Sequence, residues 1–182
     1  MKIILFSLLL YLGLSNLMAQ EEAVVLQTPT GDIYGTLLTP ERNNNLPVVL
    51  LIAGSGPTDR NGNNPLMTNN SLKMLAELLA KNGIASLRYD KRGISASAAA
   101  GKEESVLRLE DYVKDVKAWS DFLKKDKGFT KIILAGHSEG SLIGMLAAID
   151  NPTISQFISI AGSGERTVSY THLRAHETLS DL

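Results

Sequence analysis

Lys131 to Ala147, KIILAGHSEGSLIGMLA, is the stretch whose reading decides the fold. Ile132 to Ala135 form an apolar run, Gly136-His137-Ser138-Glu139-Gly140 interrupts it, and apolar residues resume at Leu142 with a spacing that suits a helix. A G-x-S-x-G at a junction between a buried strand and a helix forces a sharp turn with the serine in a strained conformation. Gly136 and Gly140 flank that turn because side chains there would collide with neighbouring backbone, while Gly144, Ala147 and Ala148 extend a small face for close helix packing. Ser138 is thereby presented at the carboxyl edge of the sheet, where open α/β folds bind ligands. The plainer alternative is a strand-to-helix turn whose serine merely caps the helix.

Working outward, Val48 to Ala53 (VVLLIA) is continuously apolar, the pattern of a strand buried on both faces of a parallel sheet. A helix is predicted from Ser71, as N-cap, through Leu72, Leu75, Leu78 and Leu79 to Asn82-Gly83. Ile84 to Tyr89 and Ile154 to Ala161 read as strands, and Leu107 to Lys125 as an amphipathic helix with Trp119 on its apolar stripe. Val24 to Gln27 and Ile33 to Leu38 read as a hairpin turning at Gly31, followed by a solvated loop at Asn43-Asn44-Asn45. Alternating strands and helices argue for an α/β fold, a mostly parallel sheet flanked by helices.

Composition narrows the chemistry. The chain has 182 residues, 44% hydrophobic and 20% charged, with a formal net charge of −1, so it has no global attraction for nucleic acid. It has no cysteine, which excludes disulfides, thiolate metal sites and a cysteine nucleophile. Its three histidines lack zinc spacing, so no metal and no cofactor is expected, and the near-neutral charge makes a small, roughly neutral molecule the expected partner. Lys2, the apolar run Ile3 to Leu14 and the segment ending at Ala19 read as a signal peptide over residues 1–19. Export to the periplasm or the extracellular space follows, without stable membrane insertion after cleavage; an uncleaved anchor is the alternative, but the run is short for a span.

Directly after the Val48–Ala53 run comes Gly54-Ser55-Gly56-Pro57-Thr58-Asp59-Arg60-Asn61-Gly62. Acyl transfer needs N–H donors aimed at a developing oxyanion, and glycine-flanked backbone supplies them. The donors would be the N–H of Glu139 and, from this loop, that of Ser55 or else Gly56; a simple glycine turn is the alternative. Arg88, Asp90 and Arg92 read as strand-mouth charges that pair with one another and position loops, rather than as a substrate carboxylate clamp. Asp111 and Asp115, four apart on the amphipathic helix, read as a solvated face rather than as paired general acids and bases.

From residue 24 to 164 the chain resembles the α/β-hydrolase superfamily, on the strand followed by GSGPTDRNG, on Arg88-Tyr89-Asp90-Lys91-Arg92-Gly93-Ile94-Ser95, on the helix with Asp111 and Asp115, and on Gly-His-Ser-Glu-Gly. Exported bacterial serine esterases, and neighbouring acyl hydrolases and serine aminopeptidases, are similar in this order. The resemblance implies Ser138 as nucleophile and oxyanion contacts near Ser55 and Glu139. Many relatives carry His-Gly before the oxyanion loop, where this chain has Ala53-Gly54. In this fold the acid and then the histidine follow the serine in the chain. His137 points elsewhere at the turn, and His172 and His176 lie in Val168–Thr178, which resembles the translated frame of a sequencing-library adapter. The expected domains are therefore a truncated hydrolase over 20–167 and a non-native tail over 168–182, with the base outside this chain and an unsupported sheet edge. The expected function is cleavage of carboxylic esters through an acyl-enzyme on Ser138, in a complete parent rather than in this chain. A peptidase, a thioesterase or a non-catalytic binding protein of the same fold are the alternatives.

Overall fold

A computed structural model describes residues 19–40, 46–101 and 106–162. The sequence-predicted signal segment up to Met18, the Asn43–Asn45 loop, His172 and His176 lie outside the described residues. Six strands, β1 (Gln20–Leu26), β2 (Ile33–Thr39), β3 (Pro47–Ile52), β4 (Ala85–Tyr89), β5 (Lys131–His137) and β6 (Ile154–Ile160), form one sheet in the order β1-β2-β4-β3-β5-β6. The β1–β2 and β2–β4 pairs are antiparallel, whereas β4, β3, β5 and β6 run parallel. Gly31 takes φ 136° in the hairpin turn, where its N–H donates to the Thr28 carbonyl at 3.1 Å.

The continuous apolar runs are explained by the layers on either side. Val48, Leu50 and Ile52 of β3, with Leu87, Tyr89, Ile132 and Leu134, pack against α2 (Leu109–Lys125) and α3 (Glu139–Ala148). Val49 and Leu51, with Ile133 and Ala135, point the other way onto α1 (Ser71–Lys81). Strand alternation sends successive side chains to opposite faces, so a strand covered on both sides must be apolar at every position. Trp119 is fully buried as expected, tilted against Tyr89 with ring centroids 5.9 Å apart and edge-on to Phe122 at 5.3 Å.

Two expectations for α1 are corrected. Its N-cap is Asn70, not Ser71: Asn70 adopts φ 51°, ψ 27°, and its own side chain makes no capping bond, although Asn69 Oδ1 accepts the Ser71 N–H at 2.9 Å. The Leu72 and Lys73 N–H groups donate to the Asn61 carbonyl at 3.1 and 3.2 Å, so the glycine-rich loop after β3 helps close the helix end. The buried stripe is also rotated. Ala76 and Ala80 are buried, with Leu75 and Leu79 partly so, while Leu78 is exposed. An alanine pair four residues apart lets the helix axis sit close to the sheet, which turns Leu78 outward.

Candidate active site

Ser138 sits between β5 and α3 with φ 53° and ψ −119°, a backbone state that L-residues rarely adopt. Two hydrogen bonds hold it there. Its N–H donates to the Ile160 carbonyl, and its own carbonyl accepts from the Ser141 N–H, each at 2.9 Å. The flanking glycines are required by space: a Cβ on Gly136 would overlap the Gly140 carbonyl oxygen, and a Cβ on Gly140 would overlap the Ile52 carbonyl and lie 2.7 Å from that of Ala53. A Cβ on Gly144 would stand 3.0 Å from Ile52 Cδ1 and from Phe157 Cε2, so the small face of α3 does allow close packing.

The loop after β3 abuts this turn. A Cβ at Gly54 would lie 3.3 Å from Ser138 Cβ and 3.1 Å from His137 Nδ1, so Gly54 is the residue that lets the two segments touch. Ser55 follows directly, and Glu139 is the first residue of α3. The three sequence-predicted site residues, Ser138, Ser55 and Glu139, thus converge at the carboxyl ends of the adjacent strands β3 and β5. Neighbouring loops after β3 and β4 enclose an open cavity of about 270 Å³ lined by Pro57, Asp59, Asn63, Asn64, Ile94 and Ser95.

The charges at the end of β4 do not pair with one another, contrary to expectation. Arg88 and Asp90 reach the loop after β3, and Arg92 reaches α2. Asp90, fully buried, accepts from the Arg60 N–H at 2.7 Å and from its guanidinium at 2.7 and 3.1 Å. Arg88 donates to Asn61 Oδ1 at 3.1 Å and to Glu21 at 2.6 Å. Asp59 Oδ1 accepts the N–H groups of Asn61 and Asn63, both at 2.8 Å, which rounds the loop into a compact turn. The positioning half of the expectation therefore holds: these side chains fix the loop that carries Ser55.

Lys91, which the sequence reading did not single out, is buried beside the site. Its ammonium donates to the Gly54 carbonyl at 2.7 Å and to Glu139 Oε2 at 2.9 Å, and lies 5.4 Å from the centre of the Tyr112 ring. A signal existed, because four charged residues within Arg88–Arg92 end an otherwise apolar strand and must find partners if that end is covered.

The expectation that Asp115 is solvated is overturned. Asp115 is buried and takes a two-pronged grip from Arg92, Nε to Oδ2 at 2.5 Å and Nη2 to Oδ1 at 2.6 Å. Burial pushes its carboxyl up from the ordinary range while the Arg92 fork pulls it back, and the same hydrogen bonds hold the Arg92 guanidinium more firmly protonated. Asp111 is half-exposed and accepts the Arg108 N–H at 3.1 Å at the start of α2, while its own N–H donates to the Arg108 carbonyl at 3.0 Å. Among the described residues, no group of three His, Asp or Glu side chains could hold a metal ion, and no helix is long and apolar enough to cross a membrane.

A mostly parallel sheet covered on both faces, with a G-x-S-x-G turn at a strand's carboxyl end, places the molecule in the α/β-hydrolase fold class. Solved α/β hydrolases superpose on it: GrgF from a Penicillium species (TM-score 0.66, 20% identity, 89% of this chain and 55% of that one) and a dienelactone hydrolase from Anabaena variabilis (TM-score 0.62, 24% identity, 80% and 64%). Within the class, the family model described as serine aminopeptidase, S33, matches residues 68–177, and the chain belongs to that family. Esterase EstD of Thermotoga maritima is 28% identical over 110 residues, 60% of this chain. That match spans 25% of EstD, and the solved relatives also extend well beyond the part that this chain covers.

Proposed function

We propose that the protein is a serine hydrolase that cleaves carboxylic esters through an acyl-enzyme on Ser138. The observation that supports this best is the strained backbone of Ser138, clamped between two glycines that tolerate no side chain and set against Gly54 of the oxyanion loop. Strained non-glycine residues persist where the surroundings over-determine them, and such places are enriched in reacting groups. In the proposed reaction the Ser138 hydroxyl oxygen bonds to the acyl carbon as a base removes its proton. The N–H groups of Ser55 and Glu139 hold the oxyanion, and the alcohol leaves with the proton. Water then repeats the sequence and releases the acid. The base and its acid partner come from sequence outside the described residues.

The esterase name of the Thermotoga relative favours esters, whereas the family description favours peptides, so both substrates belong in the test. The complete gene product is treated with a fluorophosphonate, then assayed on p-nitrophenyl acetate and on an aminoacyl p-nitroanilide. Labelling that vanishes in Ser138→Ala, with faster ester than anilide turnover, is the expected result; no labelling favours a binding protein instead. The 182-residue chain is expected to turn over the ester about 10³-fold more slowly than the complete product. For residues 1–19 we propose a cleaved export signal, and a mature protein recovered outside the cytoplasm that begins at Gln20 is the expected finding.

A further inference from the structure

We propose that Lys91 is a positioning residue for the oxyanion site, one cation that aligns both N–H donors; this rests on the reading of Ser138 as nucleophile. Lys91 follows β4, Gly54 follows β3 and Glu139 follows β5, and those three strands are consecutive in the sheet. From the end of β4 the ammonium thus reaches the segment after β3 and, beyond it, the one after β5.

Its first contact is the decisive one. The Gly54 carbonyl, held at 2.7 Å, and the Ser55 N–H belong to a single peptide unit. That unit is planar and trans, so its C=O and N–H point in opposite directions. Anchoring the oxygen on Lys91 aims the Ser55 hydrogen away from the cation, and among the described residues no acceptor takes it. A cation on the carbonyl also polarises the amide, making the N–H a stronger donor. The second contact, 2.9 Å to the Glu139 carboxylate, ties the same ammonium to the residue whose N–H is the other donor.

Stability alone would ask that the three N–H donors of the ammonium find acceptors. Lys91 is 3% exposed, and a buried ammonium requires compensation, but nothing in that requirement selects the carbonyl of this particular peptide. Preorganised donors cost no rearrangement when charge develops, so a device that holds them acts on the transition state rather than on substrate binding.

The test compares the wild-type complete gene product with Lys91→Met, Lys91→Arg and Glu139→Ala. Each is assayed for kcat and KM on p-nitrophenyl acetate, for the Ki of a trifluoromethyl ketone that forms a tetrahedral adduct, and for urea stability. Lys91→Met should lower kcat about 10–100-fold with KM within about twofold, and should weaken the ketone by a similar factor; Lys91→Arg should recover a large part of both. Glu139 is half-exposed, so Glu139→Ala should fold even if Lys91→Met does not, and should lower kcat and ketone affinity together about 3–10-fold. Wild-type labelling at Ser138 combined with unchanged kcat and Ki in Lys91→Met, or in Glu139→Ala where the methionine variant fails to fold, would overturn the role of Lys91 alone. A wild type that a fluorophosphonate does not label at Ser138 removes the nucleophile reading and this proposal with it.

Discussion

Arg92 grips both carboxylate oxygens of Asp115, at 2.5 and 2.6 Å, joining the segment after β4 to the middle of α2 inside the protein. The charges are buried on both sides, so removing one partner leaves an uncompensated ion. Asp115→Asn is expected to cost about 3–5 kcal/mol in urea unfolding at neutral pH, and Arg92→Met a similar amount. The double variant Arg92→Leu, Asp115→Leu should recover most of that loss, because it removes the desolvation penalty together with the attraction.

Tyr89 carries the clearest pH dependence. Burial, aided by the nearby Asp115 and Tyr112, raises its phenol far above the ordinary tyrosine value. Above about pH 10 the unfolded chain releases that proton and the native state does not, so stability falls with rising pH, by up to about 1.4 kcal/mol per pH unit from this group. Below pH 10 the contribution is fully present. Tyr89→Phe should flatten the alkaline limb of a stability–pH curve. At neutral pH it should stay within about 1 kcal/mol of wild type, since the hydroxyl has no hydrogen-bond partner among the described residues.

Ser138→Gly separates stability from chemistry. Glycine adopts φ 53°, ψ −119° without the strain a Cβ brings, so this variant should unfold about 1 kcal/mol later than wild type while losing all fluorophosphonate labelling. Ser138→Ala keeps the Cβ and should gain much less. Equal stabilities for the two, measured by calorimetry, would argue against strain at this turn.

Gly136→Ala and Gly83→Ala offer a matched contrast. A methyl at 136 would run into the Gly140 carbonyl, so that variant is expected not to fold. At Gly83 the added methyl meets open space and only the left-handed φ of 74° resists it, a cost of about 1 kcal/mol. Circular dichroism of the two variants distinguishes them.

The elements were readable because burial on two faces writes uninterrupted apolar runs, as at Val48 to Ala53, and the turn at Ser138 was readable because its glycines are dictated by backbone contacts. Sheet order was not, since nothing local tells β4 to insert between β2 and β3. The burial of Asp115 is illegible for a related reason. It stands four residues before Trp119, on the very stripe that is buried, and a rule that counts only apolar positions treats any carboxylate as outward-facing. Its partner lies 23 positions earlier, beyond any helical spacing. The start of α1 at Asn70 is not legible because two of its first-turn N–H groups are taken by the Asn61 carbonyl, a main-chain group with no signature in residue type.

Among the described residues β6 is paired along one side only, and Ile158 and Ile160 stand exposed on it. An open ladder of peptide groups beside bare isoleucines is a template for another strand. When this 182-residue chain is expressed by itself, the expected outcome is concentration-dependent clumping that begins at that border, and a lysine in place of Ile158 should raise the protein level at which turbidity sets in.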